Sequence, residues 1–218
     1  MKVARVTRYR CRPDPVVAKY LYLAAESHAD TWVRGGMIPI KLASTYLSDQ
    51  RAATRTPDEG RIYDSAVDLE VYQPVVRFVG DGFRNITLTK IFKDGQKLPD
   101  VFGASRYRDD GLILSFCNQN SEAVARRFNR QVCVQILDIG ALKRCIDQQI
   151  GIKGIMAPCR YTTDHQRNHF LKSTEDAWQQ EYRLFWARTD DKERWVQINT
   201  GLARRVDIAS VAPSGSDL

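Results

Sequence analysis

The chain has 218 residues, 43% of them hydrophobic and 27% charged, with a formal net charge of +7. That length suits one large domain able to bury its own core, and no window approaches the roughly 18 consecutive apolar residues of a membrane span. The positive balance suggests an anionic partner only weakly. Arg and Lys are spread along the whole chain, with short clusters at residues 5–12, 126–130 and 204–205, whereas nucleic-acid binders often concentrate charge on one element.

The start, Met1-Lys-Val-Ala-Arg-Val-Thr-Arg, is too polar for a signal peptide, and a cytoplasmic protein is expected. The five cysteines (Cys11, Cys117, Cys133, Cys145 and Cys159) form no CxxC pair. Neither a zinc ribbon nor a disulfide framework is indicated, so they read as reduced, small core residues.

Residues 3–9 alternate as a short strand or arm that Pro13 and Pro15 end, and residues 16–23 form a stronger strand, rich in β-branched and aromatic side chains. A helix is expected over 26–34, with Ser27 as N-cap and Gly35-Gly36 at its end, followed by a strand over 37–42. Residues 43–66 are polar and rich in turn formers, and a loop of that length suggests a lid or binding loop. Strands follow at 75–79 and 86–92, and the apolar run 111–117 has the composition of a buried central strand. A helix over 121–128 capped by Ser121, a strand over 131–137 and a helix over 139–149 capped by Asp138 come next. The run 152–162 and strands at 180–187 and 194–199 complete a single domain over 1–211, leaving 212–218 as a frayed tail. Without sustained βα alternation, the pattern is α+β.

Gln179, Glu181 and Arg183 are spaced by two, so a strand would place them on one face and Tyr182, Leu184 and Trp186 on the other. Two readings are open. A cleft with a carboxylate aimed into it would suit stabilisation of an oxocarbenium ion, whereas a Glu181–Arg183 pair on a solvated sheet face would carry no chemistry. Arg51 and Arg55, in the long loop, could clamp a diphosphate bidentately or simply be solvated. His165 and His169 are four apart, a spacing that two metal ligands on a helix would share, but no third ligand accompanies them and no metal is expected. Cys117 ends the apolar run and reads as an inert core thiol before it reads as a nucleophile. There is no P-loop, GxSxG or HExxH.

The order of Lys19-Tyr-Leu-Tyr, Gly35-Gly-Met-Ile-Pro, Tyr46-Leu-Ser-Asp-Gln-Arg, Asp58-Glu-Gly, Leu114-Ser-Phe-Cys, Phe170-Leu-Lys and Gln179-Gln-Glu-Tyr-Arg resembles DUF2971-type proteins and, more distantly, ADP-ribosyltransferase-fold proteins. The resemblance runs across most of residues 16–190. It implies a split, twisted, mixed or antiparallel sheet with short helices. It also implies an NAD cleft lined by an Arg or His on the first strand, a Ser or Tyr on a central strand, and a Glu. Ser115 matches the second position and Gln179-Gln180-Glu181 the third. For the first, Arg8 is available if residues 3–9 are the first strand, and only Lys19, Tyr20 and Tyr22 if residues 19–23 are; His28 is a fallback.

On this resemblance Glu181 would stabilise the oxocarbenium ion, Gln179 would orient the acceptor, and Ser115 would support the ribose or Glu181. Arg51 or Arg8 would hold the diphosphate, with Tyr22 and Arg183 also on the cofactor. NAD would be the substrate and a macromolecule the acceptor, with RNA or DNA slightly preferred over protein because of the basic surface. A toxin or anti-phage role, with a neutralising partner protein, would fit by analogy of fold. NAD hydrolysis and a catalytically inactive nucleic-acid- or protein-binding module remain as alternatives.

Overall fold

The computed structural model describes residues 18–47, 59–80, 82–187, 190 and 192–210. The expected arm at 3–9, the first two residues of the 16–23 strand, the polar stretch 48–58 and the 212–218 tail lie outside them.

In chain order the elements are β1 (Lys19–Leu23), α1 (Glu26–Arg34), β2 (Gly36–Leu42), β3 (Arg61–Asp64), β4 (Phe83–Leu88), β5 (Phe92–Lys93), β6 (Gln96–Lys97) and β7 (Val101–Arg108). They continue with β8 (Gly111–Cys117), α2 (Glu122–Arg127), β9 (Val132–Ile136), α3 (Ile139–Ile150), β10 (Ile155–Pro158), β11 (Arg160–Thr162), β12 (Leu171–Ser173), β13 (Glu181–Ala187), β14 (Arg194–Ile198) and β15 (Ala203–Val206). The fold is α+β and its pairing is antiparallel except for β11 with β12.

The main sheet runs β10-β13-β8-β1-β9-β15. It divides at β8. One edge of β8 pairs along its length with β13, while the other pairs with β2 near its start (Lys41 with Ile113) and with β1 at its end (Tyr20 with Cys117). β2 in turn pairs with β14. β8 is buried along its length except at the half-buried Ser115, which accounts for the near-continuous apolar run at 111–117.

One face of this sheet is the core. Leu112, Leu114, Phe116, Val132, Val134, Ile136, Leu184 and Trp186 pack there against Ala29 and Trp32 of α1 and Leu142 and Ile146 of α3. Trp186 is fully buried, and its indole N–H donates to Asp147 Oδ1 at 2.6 Å, whose other oxygen meets Lys143 Nζ at 2.5 Å. Gly154 lies flat against the same indole: a Cβ there would sit 2.4 Å from the indole nitrogen. The opposite face carries Tyr20, Tyr22, Ser115, Cys117, Glu181 and Arg183, and this polar face is where a cavity forms.

A second sheet, β3-β7-β4, packs its own core of Tyr63, Leu69, Tyr72, Val101 and Ala104. It joins the main body where Tyr63 and Arg167 exchange backbone hydrogen bonds of 2.9 and 3.0 Å.

Several expectations change. The 75–79 strand is absent: after a 3-10 turn at Leu69–Tyr72, the N–H groups of Val75 and Val76 both fold back on Tyr72 O, so the apolar run is turn structure under the second core. The 43–66 stretch is no single loop, since it contains a 3-10 turn (Ala43–Leu47) and β3. α1 is preceded by Ala25, not capped by Ser27, and Ser121 occupies the N-cap position of α2 without a side-chain bond. Asp138 does cap α3, accepting from Ala141 N–H at 2.8 Å.

Two substitutions report on this packing. Gly154→Ala forces a methyl into an indole that Asp147 holds, and overpacking of this kind should cost about 1–3 kcal/mol. Asp138→Ala removes a helix cap and should cost about 1 kcal/mol. In urea unfolding both lower the midpoint at unchanged slope. A Gly154→Ala midpoint equal to the wild type would contradict the packing described for Trp186.

Candidate functional site

The polar face of β13 is buried rather than solvated. Glu181 and Arg183 are 5% and 2% exposed, which removes the reading of a surface ion pair. Gln179 does not belong to the strand. It ends a 3-10 turn (Thr174–Gln179), and Gln180 follows with φ 41°, closing that turn through its N–H to Ala177 O. Gln179 therefore reaches the same site from a turn, not by strand alternation.

Arg183 organises the cluster. Its Nη1 and Nη2 hold the Glu59 carboxylate bidentately, both at 2.9 Å. Nη1 also donates to His169 O at 2.7 Å, and Nε and Nη2 both lie 2.8 Å from Glu181 Oε1. A guanidinium has five N–H donors, and this one has a partner for each. Glu181 Oε2 accepts from Lys172 Nζ at 2.9 Å, and Lys172 also donates to Gln179 Oε1 at 2.8 Å. Ser115, on the neighbouring strand directly opposite Arg183, hydrogen-bonds the Glu181 carboxylate. Tyr161 Oη accepts the Glu181 backbone N–H at 2.8 Å.

Burial alone would push the Glu181 carboxyl up, but Arg183, Lys172 and the Ser115 hydrogen bond outweigh it and hold it well below the usual carboxylate range. Lys172 is the converse: burial would lower it, and Glu181 raises it instead. Glu181 is thus a carboxylate held ionised at neutral pH in the floor of a cavity of about 210 Å³. Tyr20, Tyr22, Tyr46, Phe128 and Arg130 are among the residues around it.

The sequence-derived candidates divide as follows. Ser115, Gln179, Glu181, Arg183 and Tyr22 all line this one cavity. Arg183, assigned to the cofactor from sequence, has no donor left for one. The Tyr22 hydroxyl is likewise engaged, donating to Gln119 O at 3.0 Å and accepting from Ser121 N–H at 2.7 Å. Arg8, Arg51 and Arg55 lie outside the described residues. His28 is exposed on α1, which packs on the opposite face of the sheet, and does not line the cavity. Cys117 lines it, but burial first and the Glu181 charge second push its thiol up to about 12.

His165 and His169 do not share a helix face. They bond Ser65 O at 3.0 Å and Asp109 Oδ2 at 3.1 Å respectively. His169 stacks on Phe185 at 3.7 Å. Among the described residues no three His, Cys, Asp or Glu side chains gather as a metal site would need, and no helix is long and apolar enough to cross a membrane.

Glu59, Lys172 and Arg130 are site residues that sequence reasoning did not assign. Glu59 and Lys172 stand within the short segments Asp58-Glu-Gly60 and Phe170-Leu-Lys172, but nothing in either segment says that the two meet at Arg183 and Glu181. Comparison with protein-family models, curated proteins and solved structures returns no match to this chain.

The network makes two predictions about stability. Arg183→Met leaves Glu59 and Glu181 buried without their common partner and should cost about 3–5 kcal/mol in urea unfolding. A loss under 1 kcal/mol would mean that solvent reaches the cluster. The second concerns pH. Because the folded-state Glu181 carboxyl lies below its unfolded value of about 4.3, its contribution is present above that value and is lost as pH falls towards the folded one. Stability measured from pH 7 down to pH 3 should fall less steeply in Glu181→Gln than in the wild type. Parallel slopes would remove Glu181 from the acid limb.

Proposed function

We propose that the chain cleaves the nicotinamide–ribose bond of NAD and transfers ADP-ribose to a macromolecule, with Glu181 as the carboxylate beside the reacting ribose. The observation that carries this reading is the buried Glu181 carboxylate, which lines one cavity together with Ser115 and is held below the usual carboxylate range by Arg183, Lys172 and Ser115. Its setting supports the same reading. The segments expected to line an NAD cleft lie on three neighbouring strands in the order β13-β8-β1, and the main sheet divides at β8, the strand that carries Ser115.

The chemistry needs little beyond such a carboxylate. Glu181 accepts a hydrogen bond from a ribose hydroxyl and offsets the positive charge that develops on the sugar ring. The C–N bond breaks with its electron pair going to nicotinamide, which leaves neutral. The acceptor's nucleophilic atom forms the new bond to the same carbon and releases its proton to solvent. Lys172 shares Glu181 Oε2 and Gln179 accepts from Lys172, so this amide and ammonium set where an acceptor can approach. The net charge of +7 favours a nucleic acid as acceptor over a protein, and water in that place gives NAD hydrolysis.

One observation favours a different class of function. Both Glu181 oxygens already meet buried cations, so the network also suits a binding module whose buried charges only hold the sheet to its cover.

Nicotinamide release from NAD, with and without RNA, DNA and cell lysate, separates these readings. Wild type should release nicotinamide faster with one class of macromolecule and attach label from NAD to it. Glu181→Gln, folded by circular dichroism, should lose about 10²–10³ of the rate. Free ADP-ribose without labelled macromolecule would make it a hydrolase. No release from folded wild type under any condition would end the catalytic reading.

A further inference from the structure

We infer that Arg130 is the anion-recognising residue of the cavity, and that its ligand is a nucleotide whose diphosphate meets Arg130 and whose base lies against the Phe128 and Tyr20 rings. The inference deepens the function proposed above by naming the residue for the diphosphate, but it concerns binding alone and is tested apart from catalysis.

It rests first on which cation is available. Arg130, Lys172 and Arg183 are the cations that line the cavity among the described residues. Arg183 has all five donors placed on Glu59, Glu181 and His169 O. Lys172 has Glu181, Gln179 and, at 3.6 Å, Asp176, which uses the three donors of an ammonium. Arg130 differs. Its guanidinium donates from Nη1 to Asn129 O at 3.1 Å, a neutral carbonyl, and among the described residues it forms no ion pair with a carboxylate. It is half-buried, whereas Lys172 and Arg183 form the buried floor. A partly desolvated guanidinium without a counter-charge is costly to hold, and a phosphate that it binds bidentately removes that cost.

Its placement is built by the chain. α2 ends at Arg127 with Phe128 as its C-cap, Asn129 turns with φ 53°, and the Arg130 N–H returns to Ala125 O at 2.8 Å. The same turn sets Phe128 into the cavity wall, braced by Trp178 at 4.7 Å between ring centres. Arg127 lies over the far part of that brace, 4.2 Å from the Trp178 ring. A cation and an apolar ring delivered by one turn, with Tyr20 of β1 beside them in the cavity lining, suit a ligand with an anionic part joined to a flat one, since bases stack on such rings regardless of their identity.

Calorimetric titration with ADP, pyrophosphate and adenosine tests this. Wild type should bind ADP more tightly than either fragment. Arg130→Gln should weaken ADP and pyrophosphate by roughly tenfold or more, as loss of a charge-assisted hydrogen bond implies, and leave adenosine unchanged. Arg130→Lys should recover part of the loss. The half-exposed position lets the variant fold, which a thermal melt checks. ADP binding equal in wild type and Arg130→Gln, pyrophosphate binding as tightly as ADP, or no binding of any probe by folded wild type would each overturn the inference. Arg130-dependent ADP binding by a protein that never releases nicotinamide would keep it and remove the transferase. Nicotinamide release whose NAD dependence ignores Arg130→Gln would do the reverse.

Discussion

The Arg183 guanidinium joins three segments that the chain keeps far apart. Through it, Glu59 at the entry to β3, the backbone of His169 and Glu181 at the start of β13 meet inside the protein. Two carboxylates and one cation alone would leave a net negative charge in a low-dielectric interior. Lys172 supplies the second cation, 2.9 Å from Glu181, and the four charges then cancel. Buried pairs of this sort add little net stability compared with an apolar core, because desolvation offsets their attraction. What they add is an arrangement in which no member can leave alone without stranding a charge. The cover of the polar sheet face is thereby fixed in one register over the cavity.

β13 shows how one strand serves both core and site. Leu184 and Trp186 point into the apolar layer beneath α1 and α3, and Glu181 and Arg183 point the other way. A slip of one residue would exchange the two sets and bury the Glu181 and Arg183 charges among apolar side chains. The indole of Trp186, fixed by Asp147 and pressed by Gly154, resists that slip from the core side, as Arg183 does from the other. Ser115 meets Glu181 only because β8 and β13 keep the register that places Ser115 opposite Arg183.

What was legible in the sequence follows from range. The alternation around Glu181, the apolar run of β8 and the Asp138 cap are local patterns, and the structure has them. β7 was not visible because Gly103, Ser105, Arg106 and Arg108 make it polar and interrupt any alternation, and Gly103 has φ 70°. Val75-Val-Arg-Phe-Val79 differs for the opposite reason: its Val76 and Phe78 fill the flank of a second core whose existence depends on β3 and β7, while Val75 and Val79 are exposed. Gln179 lines the same cavity as Glu181 by a route other than strand alternation, since nothing local signals the left-handed turn at Gln180. The Glu59–Arg183 contact spans 124 residues, and no spacing rule reaches that far.

The charge state of the cavity narrows the chemistry that it favours. Cleavage of an ordinary glycoside needs a carboxylic acid with a raised pKa to protonate the departing alkoxide. Glu181 is held ionised instead, and Glu59 gives both oxygens to Arg183. Neither is placed to donate a proton, and His169 is directed to Asp109 and kept neutral by burial. A carboxylate that stays anionic at neutral pH can still lower the cost of a developing oxocarbenium ion. It is therefore suited to substrates that carry their own leaving group, one that departs neutral without protonation. NAD, the substrate proposed above, has such a leaving group, and its diphosphate is the part proposed to meet Arg130.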